Sequence, residues 1–256
     1  PSLVGSEMCI RDRSELNDLA VENYKKNVCQ CIRQWHYSEQ NTNSIDMLLA
    51  LNGIPVIAIE LKNQLTGQSV DDAKKQWAYN RNPKEPVFGF NKRILAYFAC
   101  DLYDVCMTTR LDGPMTNFLP FNQGSNGAGR DGGAGNPPNP TGSYVTSYFW
   151  ENVLQKDNLM DILQKFISYE KTEKKEVMPD GSTNIKKTEK IIFPRYHQLD
   201  VVRELVRHVR ENGPGHNYLI QHSAGSGKSN SIAWTAYRTM KSNGIWSRTI
   251  MTISRL

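Results

Sequence analysis

Residues 44–62 read SIDMLLALNGIPVIAIELK. Two apolar runs, Ser44–Leu51 and Ile54–Leu61, flank Asn52-Gly53, the strongest short-range signal for a β-hairpin. An acid interrupts each run: Asp46 in the first and Glu60 in the second, with Lys62 two residues later. Side chains two apart on a strand share a face, so Glu60 and Lys62 point the same way. Whether Asp46 joins them depends on register. A two-residue loop pairs Asp46 with Ile59 and leaves Glu60 on the opposite face. One extra residue, in a three-residue loop or a bulge at Gly53 or Ile54, pairs Asp46 with Glu60 instead. The spacing therefore predicts a longer loop or a bulge nearby, and a clean two-residue turn without one would separate the acids.

Brought together, Asp46, Glu60 and Lys62 form D-x13-E-x-K. Two carboxylates hold one or two Mg²⁺ ions, which polarise a phosphodiester and generate hydroxide from water. Lys62 would stabilise charge developing on the phosphate or position the attacking water. E-x-K is also a common tripeptide on exposed strands, where it only solvates a face. Against that stands the apolar run on both sides of Glu60, since an unpaired charge there is costly to bury. At the level of residues both readings stay open.

Outward from the hairpin, apolar spacing at Leu16, Leu19, Ala20 and Tyr24 predicts a helix over 15–26. A second helix is expected over 70–81, with Asp71 and Asp72 at its positive end. Strands are expected at 94–100 and 103–110. Residues 122–142 (NQGSNGAGRDGGAGNPPNPTG) are too rich in glycine and proline to pack a core and read as a loop. An amphipathic helix at 157–169 ends this domain, expected over 14–169. The charged stretch 170–190, turning at Pro179-Asp180-Gly181, reads as a solvated hairpin or connector.

A different pattern opens at Ile191. A helix over 197–211 precedes an apolar strand, 217–221, and then His222-Ser223-Ala224-Gly225-Ser226-Gly227-Lys228-Ser229. Glycines let backbone N–H groups turn in on phosphate oxygens, and the following helix, 229–242, presents its positive end. Gly225, Ser226 and Gly227 would cradle the phosphates of ATP. Lys228 would reach the β- and γ-phosphates, and the Ser229 hydroxyl would ligate Mg²⁺. The strict pattern GxxxxGK[ST] fails at its first position, occupied here by His222. A strand over 248–253 follows, so strand, loop, helix and strand read as the opening of a parallel α/β sheet over 191–256.

Composition is that of a globular protein, with 39% hydrophobic and 22% charged residues among 256. The net charge of +5 permits a polyanionic partner without demanding one. No window is apolar enough to span a membrane. Five scattered cysteines (Cys9, Cys29, Cys31, Cys100 and Cys106) lack metal-ligand spacing and read as reduced thiols of a cytoplasmic protein. Residues 1–13 show no periodic pattern and are expected to be an artefactual or disordered leader.

NSIDMLLALNGIPVIAIELKNQLTGQ, IQHSAGSGKSNSIAW, FNQGSNGAG and FPRYHQ together resemble the restriction subunit of type I restriction–modification enzymes. The resemblance implies an α/β architecture: a mixed-sheet, restriction-endonuclease-like PD-(D/E)xK domain, then the start of a RecA-like superfamily 2 motor. It implies that Asp46, Glu60 and Lys62 are the nuclease residues, with Asp46 and Glu60 as Mg²⁺ ligands. Lys228 and Ser229 would be nucleotide ligands, and Gln198 in FPRYHQ would read the adenine edge, its amide offering a donor and an acceptor. Double-stranded DNA and the modification and specificity subunits are the implied partners. Ile45 replaces the proline of the motif's name. The QxxxY signature is met only loosely, Gln76 being followed by Tyr79, and Gln76 is taken as a supporting residue. No DExx box follows the P-loop, so the motor lobe is expected to be truncated and deficient in ATP hydrolysis. Two other readings remain: a nucleotide-binding module with a structural carboxylate cluster, and an inactive gene fragment.

Overall fold

A computed structural model describes residues 18–124, 133–141, 143–177, 183–213, 215–223 and 225–243. The leader, residues 1–13, and the expected strand over 248–253 lie outside them. So does much of the loop over 122–142. The chain forms two compact units, one from residues 1–120 and 138–193, the other from 121–137 and 194–256.

A mixed six-stranded sheet builds the first unit, in the order β1 (Cys29–His36), β2 (Ser44–Leu51), β3 (Ile54–Leu61), β4 (Ala96–Cys100), β5 (Val105–Thr108) and β6 (Leu119–Pro120). Neighbours run antiparallel except β3 and β4, which are parallel. A parallel pair needs a crossover, and helix α2 (Val70–Tyr79) lies within it. Asp72 Oδ2 accepts from the Ser69 backbone N–H at 2.9 Å and closes the first turn of α2. Val70, Ala73 and Trp77, at helical spacing, are buried. The Trp77 indole donates to the Phe98 carbonyl on β4 at 2.9 Å, which pins the helix to the sheet.

Trp77, Tyr97 and Phe88 centre one core cluster, with ring centroids 5.2–6.2 Å apart. A second grouping joins Phe98 to Phe149 and Phe193 at 4.7 and 5.8 Å. Phe149 comes from a π-turn, Phe149–Val153, that leads to helix α3 (Lys156–Lys165). Helix α1 (Asp18–Lys25) is tied to α3 by the Tyr24 hydroxyl, 2.7 Å from Asp157 Oδ1.

The expected strands of the central hairpin form at the expected residues. Other elements differ. Strand β1, unforeseen, occupies the sheet edge. Helix α3 ends at Lys165 rather than 169, because the N–H groups of Phe166 and Ile167 both return to the Ile162 carbonyl. The charged stretch, by contrast, takes the hairpin form that was one of its two expected readings, with β7 (Ser168–Val177) and β8 (Thr183–Ile192) joined by Lys–Glu pairs such as Lys190–Glu170 at 2.9 Å.

In the second unit, helices α4 (Tyr196–Asn212) and α5 (Lys228–Asn243) pack together. Leu199, Val202 and Val206 line the buried face of α4. The strand expected over 217–221 is not formed: no described residue pairs with it, and Leu219 is 93% exposed. A buried parallel strand needs ladder partners on its flanks. The loop and its helix are present, but the parallel sheet of a RecA-like lobe is not formed among the described residues.

Candidate active site

The hairpin turn has two residues, Asn52 (φ 52°) and Gly53 (φ 79°), pairing Leu51 with Ile54 and Ala50 with Pro55. Positive φ at both positions suits the right-handed twist of the strands and explains the choice of Asn-Gly. The next pair is Leu49 with Ile57, so Val56 is the extra residue of a β-bulge. The bulge expected from the sequence is therefore present, within β3 rather than at Gly53 or Ile54. The Val56 carbonyl is still satisfied, accepting from Leu95 N at 2.9 Å. Met47 pairs with Ile59, and the same register puts Asp46 opposite Glu60. The Leu61 N–H then donates to Asp46 Oδ2 at 2.8 Å.

Glu60 is fully buried. Its Oε1 accepts from Arg81 Nε at 3.1 Å and Nη2 at 2.5 Å, while Oε2 is buried without a hydrogen-bond partner. Burial pushes the Glu60 carboxyl up to about 8; the Arg81 charge opposes this and the nearby Asp46 carboxylate adds to it. Arg81 also donates to the Ser44 carbonyl at 2.6 Å and lies against the rings of Tyr37 and Trp77, 5.6 and 5.9 Å from their centroids.

Lys62 continues the parallel ladder, its N–H donating to the Cys100 carbonyl at 2.9 Å. Its ammonium donates to Gln76 Oε1 at 2.5 Å, across to α2. Asp46, Glu60, Lys62 and Gln76 are thus gathered where the end of β3 meets α2. Tyr79, the nearest match to the tyrosine of QxxxY, is 68% exposed. Sequence reasoning missed Arg81, although a signal existed: an acid inside an apolar strand demands a cationic partner.

The orphaned Glu60 Oε2 beside a second carboxylate suits a divalent cation. Among the described residues no group of three or more His, Cys, Asp or Glu could hold a metal.

The second candidate site lies at the start of α5. Gly225 (φ 72°) and Gly227 (φ 80°) both adopt the left-handed backbone that a phosphate loop needs. Lys228 Nζ donates to the carbonyls of His222 and Ser223, each at 3.0 Å. Ser226 is buried and Ser229 is exposed. Gln198 is buried and fully engaged: Oε1 accepts from Arg195 N, and Nε2 donates to the Gly227 carbonyl, both at 2.9 Å. In this conformation its amide braces the loop instead of facing a base. His197 Nε2 lies 3.0 Å from the Ser226 carbonyl and its ring meets that of His222 edge-on. Burial holds both imidazoles below their ordinary range.

Residues 10–116 match the family model for the type I restriction enzyme R protein N terminus. Asp46, Glu60, Lys62, Gln76 and Arg81 all lie inside that match; the glycine loop ahead of α5 lies beyond it. No curated protein and no solved structure matches the chain. No described helix is long and apolar enough to cross a membrane.

Proposed function

We propose, from the match of residues 10–116 to the type I restriction enzyme R protein N terminus, that the first unit is a Mg²⁺-dependent endonuclease acting on double-stranded DNA. One observation carries the reading: the Val56 bulge puts Asp46 opposite Glu60 and on the same side as Lys62. Asp46 and Glu60 would hold the ion, which when bound supplies Lewis-acid polarisation of the phosphodiester and a water of lowered pKa. Lys62 offsets negative charge on the scissile phosphate, and Gln76 fixes the direction of its ammonium. Arg81 holds one Glu60 oxygen so that the other faces the site.

We further propose that Gly225, Ser226, Gly227, Lys228 and Ser229 bind the phosphates of ATP and its Mg²⁺. In an assembly with modification and specificity subunits, that site would serve translocation, and sequence recognition would come from the partners. Adenine recognition by Gln198 requires it to release Arg195 N or the Gly227 carbonyl.

The test is Asp46→Ala and Lys62→Ala in the assembled enzyme. DNA cleavage should fall by at least a hundredfold while ATP hydrolysis is kept, a loss in the range of removing a principal catalytic group (~10²-fold or more). Unchanged cleavage would leave the competing reading, a structural carboxylate cluster held by the buried Arg81–Glu60 pair.

A further inference from the structure

Gln34 lies in β1 between Arg33, paired with Met47, and Trp35, paired with Ile45, and therefore opposite Asp46. Its φ is +46°, in the left-handed region. Two other described residues that are not glycine have positive φ, Asn52 and Asn91, and asparagine tolerates that conformation. Glutamine has no such tolerance, and a strand residue needs no left turn. Backbone of this kind persists only where its surroundings impose it, and it clusters at functional sites. Here the side chain supplies the reason. Gln34 Nε2 donates to Asp46 Oδ1 at 3.1 Å, and Gln34 Oε1 accepts from Ser44 Oγ at 2.8 Å. The Ser44 carbonyl, in turn, accepts from Arg81, which grips Glu60. Ser44 thus joins the residue that holds one carboxylate to the residue that holds the other.

We propose that Gln34 is a positioning residue for the metal-binding carboxylate Asp46, held in a strained backbone so that its amide fixes Oδ1. The Leu61 N–H holds Oδ2, so both oxygens are oriented before an ion arrives. Preorganisation of this kind improves affinity by removing rotamer freedom beforehand.

The proposal rests on the nuclease reading, and its test separates the two. Mn²⁺ binding to the whole chain is measured by calorimetry, and thermal unfolding is followed without metal, for the wild type, Gln34→Gly, Gln34→Asn and Asp46→Ala. Gln34→Gly relieves the left-handed strain but removes the amide. It should weaken Mn²⁺ binding about threefold to tenfold, the worth of one hydrogen bond, while the melting temperature stays level or rises. Gln34→Asn gains tolerance for positive φ but carries its amide one methylene short, and should weaken Mn²⁺ similarly. A merely structural glutamine would lower the melting temperature without touching Mn²⁺. Wild-type Mn²⁺ affinity in both Gln34 variants, with loss in Asp46→Ala, would overturn the Gln34 proposal alone. Wild-type affinity in Asp46→Ala would overturn the carboxylate site, and the role of Gln34 with it.

Discussion

Arg81 donates twice to one oxygen of Glu60, Oε1, and leaves Oε2 buried with no hydrogen-bond partner. A structural ion pair would be expected to satisfy both oxygens, since a buried unpaired acceptor is costly. The asymmetry suits the proposed cation site, in which the held oxygen would orient the carboxyl and the other would face the ion. Arg81→Met should therefore destabilise the protein by about 3–5 kcal/mol at pH 8–9, the usual cost of stranding one member of a buried pair. Urea denaturation at that pH measures it. Near pH 5 the cost should be smaller, because Glu60 can then take a proton.

The raised Glu60 carboxyl also gives the metal-free protein a pH dependence. In the unfolded chain the group titrates near 4.5, in the folded protein near 8. Between those values the folded state holds a proton that the unfolded state has lost. This contribution to stability is fully present below about pH 4.5 and is lost as pH rises to about 8. Its size is on the order of a few kcal/mol, from 1.36 kcal/mol per unit. Divalent binding requires the ionised carboxylate, so Mn²⁺ affinity should climb over the same window and release a proton. Calorimetry in two buffers of different ionisation enthalpy reads that proton; affinity flat from pH 6 to 9 would count against Glu60 as a ligand.

At the turn, Gly53 has φ 79° and open space where a Cβ would stand. Gly53→Ala should then cost about 1 kcal/mol through backbone strain alone. Stability to urea should fall by that amount with Mn²⁺ affinity unchanged. A larger loss, or a fall in affinity, would mean that the turn and the Val56 bulge shift together.

The two strands of the hairpin were legible to the residue because Asn-Gly and two apolar runs leave little choice of pairing, and setting Asp46 opposite Glu60 called for an extra residue, which lies at Val56 rather than at Gly53 or Ile54. Strand β1 was not legible. As an edge strand it exposes Cys31 and Arg33 and lacks clean alternation, so CQCIRQWH carries no period-2 signal. Gln34 carried no signal, and the acid inside β3 called for a cation without indicating which residue. Gln34 and Arg81 each meet a carboxylate through the sheet or the crossover, at a separation no motif spans. The stretch around Tyr218, Leu219 and Ile220 misled in the opposite direction: its apolar run reads as a strand, but a strand exists only with a partner, and none of the described residues provides one.

In the glycine loop ahead of α5, a Cβ on Gly227 would stand 2.4 Å from Gln198 Nε2, in a backbone with φ 80°. Gly227→Ala must therefore push Gln198 off the Gly227 carbonyl and also strain the loop. Binding of a fluorescent ATP analogue should weaken about tenfold or more, since a backbone shift and a lost brace together exceed ~1.4 kcal/mol. Gln198→Ala alone removes the brace but leaves the loop backbone unstrained, and should cost less. The double variant removes the clash while keeping the strain, so its nucleotide affinity should sit near that of Gly227→Ala and its thermal stability above it. Equal nucleotide binding in wild type and Gly227→Ala would show that phosphates do not occupy the loop over residues 225–229.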